Sequence, residues 1–112
     1  MNKAQHIAAT RKALGADFAE VHDFLDQFWG EVPSLGHRII LHHALGVELV
    51  VARFGEEARP AAELHIRDDM EVIQPTPQAV YQLVQVMVHP HRLAQVNAIL
   101  HELGLPLASP PL

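Results

Sequence analysis

The sequence predicts an all-α protein, a single-domain helical bundle of about five to six helices around a buried central helix, spanning residues 1–104, with a mobile Pro-rich tail at 105–112. Three observations predict it. Apolar residues recur at three- and four-residue intervals, each such block is bounded by helix start and stop residues, and a 112-residue chain that is 49% hydrophobic and 19% charged can close one core.

Each element follows in order. The first helix covers 3–14, with Asn2 as N-cap, Ile7 and Leu14 on one face, and Gly15 able to take the left-handed conformation that ends it. In the second, Asp17 and Glu20 form a capping-box variant, and Phe18, Val21, Leu25, Phe28 and Trp29 keep helical spacing up to Gly30. Ser34 caps a long third helix ending at Gly55. Leu35, Ile39, Ile40, Leu45, Val47, Val50, Val51 and Phe54 cover most of its circumference, which places it in the middle of the bundle. Pro60 opens a fourth helix through Met70, since a missing N–H costs nothing there. Thr76 and Pro77 repeat that signal for a helix to about Val88, although the β-branched run from Val80 keeps a strand as the alternative. His91–Leu103 is the last helix, stopped by Gly104.

Composition removes several function classes. A formal charge of -5, with no Lys after Lys12, gives no platform for a phosphate backbone, so no nucleic-acid partner is expected. No signal peptide is recognised and no apolar run approaches the ~20 residues of a membrane span, so a soluble, cytoplasmic protein without a membrane partner is expected. The absence of cysteine rules out disulfides and thiol catalysis. The two serines, Ser34 and Ser109, lie outside any nucleophile context, and there is no Gly-rich phosphate loop.

The chemical oddity is nine histidines. His22 and Asp26 are four apart on the second helix and can chelate together, or simply decorate an exposed polar face with Asp23. His37, Arg38, His42 and His43 lie on the central helix, where polar rings need partners. His43 reads as a core histidine bonded to a carbonyl. His42 reads as functional, with His37 second, and Gly46 leaves space beside the His42 ring. Glu63, His65, Asp68 and Asp69 form the third cluster, in which His65 and Asp69 repeat the four-residue spacing; a solvated charge patch with Glu71 is the alternative. His89 and His91 bracket a proline in a loop, and His6 and His101 are expected at the surface.

The pattern His22-x3-Asp26, His37-Arg38-x3-His42-His43-x2-Gly46, Phe54-Gly55, Ala62-Glu63-x-His65-Ile66-x-Asp68-Asp69 and Ile73-x-Pro75-Thr76 resembles an uncharacterised family of small bacterial and phage proteins, classed as a domain of unknown function. The resemblance carries over onto His22, Asp26, His37, Arg38, His42, His43, Glu63, His65 and Asp69, and implies a shared His and carboxylate site without a reaction. The chain departs from that pattern at Gly36, where Arg is usual, and in its short segment between Gly55 and Ala62.

The leading expectation is a pocket in which His22, Asp26, His37, His42, Glu63, His65 and Asp69 hold a divalent transition metal (Zn, Mn, Fe or Ni), with hydrolysis by activated water as its chemistry. A second is a non-enzymatic acidic interaction module, of a phage-type inhibitor or adaptor kind, meeting a basic protein partner through Glu56, Glu57, Asp68, Asp69 and Glu71. A third is pH sensing, because protonating nine histidines would take the formal charge from -5 to +4. Self-association as a homodimer through an apolar face is also expected.

Overall fold

A computed structural model describes residues 2–33 and 35–109. These fold into seven α-helices and no strand: α1 (Lys3–Leu14), α2 (Ala19–Leu25), α3 (Gly36–Leu41), α4 (Ala44–Phe54), α5 (Arg59–Met70), α6 (Pro77–Val84) and α7 (Pro90–Glu102). Single 3₁₀ turns at Glu56–Ala58 and Gln85–Met87 precede α5 and follow α6. The all-helical expectation holds, with a higher helix count.

The extra helix comes from a break in the long central element. At His42 and His43 the chain leaves helical geometry, and the extended His43 N-caps α4 by accepting the Gly46 N–H at its Nδ1 (3.1 Å). A Cβ on Gly46 would stand 1.7 Å from the Leu41 carbonyl oxygen, so the glycine lets the end of α3 touch the first turn of α4. It does not, as expected from the sequence, clear room for a ligand beside His42. The expected cap, Ser34, lies outside the described residues.

α3 is the buried helix and joins two halves. It packs on α6 and α7 on one side and meets α4 at the break, while α5 packs on α1, α2 and α4. Ile39, Ile40 and Leu41 of α3, Leu25 of α2, Ile66 of α5 and Leu100 of α7 are among the fully buried side chains. A radius of gyration of 13.5 Å matches the roughly 13 Å expected of one domain of this length.

Local signals were read correctly at α1, where Asn2 and Gln5 complete a capping box and Gly15 adopts φ 80°, and at α6, which Thr76 caps as a helix rather than a strand. Others failed. α2 ends at Leu25, five residues before Gly30, and turns carry the chain on, which leaves Trp29 exposed. Asp17 does not cap α2: it pairs with Arg11 (2.5 and 2.7 Å), and Phe18, at φ 48°, holds the N-cap position. The face of α1 turned inward is His6 and Thr10, not Ile7 and Leu14. After α7 the chain runs extended, tied by paired hydrogen bonds from Asn97 to Ala108 and from Gln78 to Ser109. Pro110 and Pro111 lie outside the described residues.

Candidate metal centre

The inward strip of α1 is polar because what it meets is polar. His6 (α1) stacks on His22 (α2) and on His65 (α5), lying 3.9 Å from His65 between centroids, while the His22 and His65 rings are tilted by 37°. All three are buried, as are His37, His42 and His43. His6 was expected at the surface; it is 1% exposed, since the i, i+4 pair of His6 and Thr10 is the contact face of its helix.

Hydrogen-bond chemistry fixes the protons along this stack. The Thr10 hydroxyl donates to the His6 carbonyl (2.7 Å), so toward His22 Nε2 (2.9 Å) it accepts, and His22 carries its proton on Nε2. His22 Nδ1 is then an acceptor, and the 2.7 Å contact with His65 Nδ1 needs the proton to sit on His65. Burial first, then the neighbouring His65 and His6, lower the His22 pKa to about 4, which keeps that ring neutral.

His65 therefore turns the lone pair of its Nε2 toward two carboxylates, Asp26 Oδ1 at 3.2 Å and Asp69 Oδ2 at 3.6 Å. Burial also holds the His65 pKa below its ordinary value, so a second ring proton is disfavoured there. His42 Nε2 faces the same two oxygens at 3.4 and 3.2 Å. Burial opposes charge on His42, but hydrogen bonds to Asp26 and Asp69 outweigh it and raise the pKa. Burial likewise acts against both carboxylates, yet Asp26 and Asp69 are held well below the usual range, Asp26 by hydrogen bonds from His37 and His42 and Asp69 by His42 and His6.

Asp26 Oδ1, Asp69 Oδ2 and the Nε2 atoms of His42 and His65 thus form one small polyhedron. Tetrahedral coordination at about 2.0–2.2 Å sets ligand atoms about 3.3–3.6 Å apart. The four His-to-Asp edges run from 3.2 to 3.6 Å. The His6, His22 and His65 group also converges, but its 2.7 Å nitrogen pair is shorter than such an edge and already shares a proton.

Three segments place these four atoms: the residue after α2 (Asp26), the helix break (His42), and two positions one turn apart on α5 (His65, Asp69), with His22 behind them. His37 Nε2 lies 3.5 Å from Asp26 Oδ1, at the outer edge. Arg38 Nη1 donates to the Asp69 backbone oxygen (3.3 Å). His43 is, as read from the sequence, a core histidine, bonded to the Ile40 carbonyl at 2.8 Å, with burial lowering its pKa to about 4. Glu63 is half-buried two residues before His65, on another face of α5, and belongs to neither group of converging ligands.

The cluster opens on a cavity of about 400 Å³ whose wall includes Asp26, Asp69, His37 and Arg38, with Trp29 and Lys3 at the rim. Sequence reasoning placed His6 at the surface and Trp29 on an apolar helix face, and assigned no site role to them or to Thr10 and Lys3. The spacing of His6 and Thr10 repeats that of the two recognised His-Asp pairs, and it was the one signal that could have found them. No helix among the described residues is long and apolar enough to cross a membrane. Residues 1–89 match the model of a family described as a domain of unknown function, DUF6915. No curated protein and no solved structure matches the chain.

Proposed function

The chain belongs to the DUF6915 family, and from that premise we propose that it is a metal-binding protein whose centre is Asp26, His42, His65 and Asp69. The observation that carries this reading is the convergence of two imidazole nitrogens on two carboxylate oxygens with edges of 3.2–3.6 Å; the hydrogen-bond chain from Thr10 through His22 assigns the His65 Nε2 lone pair to that same centre, where a cation would balance the carboxylates. Two imidazole nitrogens and two carboxylate oxygens suit Zn, Mn, Fe or Ni better than Ca. Thr10 and His22 act as outer partners that set the tautomer of a ligand, as such partners do in metal sites.

A bound divalent ion supplies Lewis acidity and lowers the pKa of water, so hydrolysis is the chemistry the centre best supports. His37 lines the cavity beside Asp26 and, with Nε2 directed at Asp26 Oδ1, orients that carboxylate.

Protein purified without an affinity tag is expected to carry about one transition-metal ion per chain, and His42→Ala and Asp69→Ala to carry none. At a hundredfold excess of free metal over Kd, re-addition to chelated protein should stabilise the fold by about 2.7 kcal/mol, raising Tm by roughly 10 °C. An unchanged melting curve together with metal-free preparations would remove this reading.

A further inference from the structure

The cavity beside the proposed centre has a wall that the metal does not explain. Arg38 holds only part of its guanidinium against the protein: Nη1 reaches the Asp69 carbonyl, Nη2 stands 4.0 Å from Asp69 Oδ1, and the buried Nε has no hydrogen-bond partner. The Arg38 side chain also lines the cavity with 23% of its surface exposed, and an oxyanion there would gain charge-assisted hydrogen bonds from the guanidinium. Lys3, the first residue of α1, stands at the same rim, tied at 2.8 Å to the exposed Asp23, and no acidic side chain occupies that helix's first turn. The N-terminal end of α1 thus adds its partial positive charge at the rim.

Trp29 is the third part. It is 58% exposed, and it lines this cavity rather than the core. A large aromatic held at the mouth of a polar cavity offers a flat apolar surface to a ring. The volume, about 400 Å³, falls within the range of small-molecule sites.

The charge balance depends on the ion. Without it, Asp26 and Asp69 place two negative charges on the floor and oppose an anion. With a divalent cation they are neutralised, and Arg38 leaves the floor net positive. We propose that the cavity takes a phosphate monoester whose phosphoryl group lies between Arg38 and the ion and whose ring lies against Trp29. The proposal rests on the metal reading and names the substrate class of that same site. In hydrolysis, the oxygen of water bonds to phosphorus and the ester P–O bond breaks. One proton of water ends on the departing alcohol oxygen, and the other stays on the phosphate.

Trp29 is the single tryptophan of the chain, so its fluorescence reports on this cavity alone. Zinc-loaded protein is to be titrated with adenosine 5′-monophosphate, adenosine and inorganic phosphate, with zinc content measured on each sample. Saturable quenching by the monophosphate, competition by inorganic phosphate and at least tenfold weaker binding of adenosine are expected. Arg38→Gln should weaken the monophosphate at least about tenfold while about one zinc per chain is kept. Lys3→Gln, at an exposed position that cannot disturb the core, should weaken it by a smaller factor. Equal binding of adenosine and its monophosphate, or no saturable binding by a zinc-loaded chain, overturns the ester proposal and leaves the metal reading standing. A chain that takes up no zinc overturns the metal reading itself.

Discussion

Thr10 carries no charge and offers no atom to the four converging ligands, yet its hydroxyl determines which nitrogen of His22 keeps a proton and, through it, which nitrogen of His65 faces Asp26 and Asp69. Thr10→Val preserves the shape of the side chain and removes that instruction, since His22 can then carry its proton on Nδ1 and donate to His65. Metal affinity is expected to fall about 10–100-fold, measured by competition with a chelating dye, with an unchanged helical circular-dichroism spectrum. Four-residue polar spacing pointed to Asp26, His65 and Asp69, because side chains four apart on a helix lean the same way, and an imidazole on an otherwise apolar helix pointed to His42. It could not point to His6, whose burial depends on partner surfaces on α2 and α5 that no local spacing places beside α1. Nor could it separate Glu63 from His65, as both fit a ligand list until the helix phase is known.

At the level of the helix, the decisive event is the interruption between α3 and α4. Apolar residues on every side of 35–54 suggested one continuous rod, and the hydrophobic pattern has no means of registering a break that keeps both pieces buried. The local cue was the pair His43 and Gly46, a side-chain acceptor three residues before a position that tolerates no Cβ. Histidine is an uncommon cap, so the cue is weak on its own. Because the break is where His42 leaves helical geometry, it also sets the direction of a proposed ligand. Gly46→Ala should force the two helices apart, costing at least about 3 kcal/mol in a urea titration and lowering metal content. The opposite case is α6, where Thr76 and Pro77 supply a strong start signal that overrides the β-branched run behind them.

For the molecule as a whole, the buried imidazoles set the response to acid. His22 and His43 have folded-state pKa values near 4, below the roughly 6.5 of an unfolded histidine, chiefly through burial. Between those values the unfolded chain binds protons that the folded chain refuses, so stability falls as pH drops through that window. Each group contributes at most roughly 3 kcal/mol to that fall. His65 acts in the same direction, whereas His42, raised by its carboxylates, acts in the other and reduces the net slope. Asp26 and Asp69 add a further loss below about pH 4 as they protonate in the unfolded chain. Thermal melts of metal-free protein should therefore show Tm declining from pH 7 toward pH 4, and a flat profile would contradict the burial of these rings.

Every ligand of the proposed centre lies between residues 26 and 69, while α6 and α7 support α3 from the far side and supply none. In a cysteine-free chain, an ion there is a covalent-like staple that closes loops of 16, 23 and 4 residues between successive attachment points. Its removal should loosen the protein unevenly. Amide hydrogen exchange would quicken in α1, α2 and α5 after chelation, while the pairing of α7 with α3 keeps its protection, and the molecule would then behave as a rigid base carrying a latch.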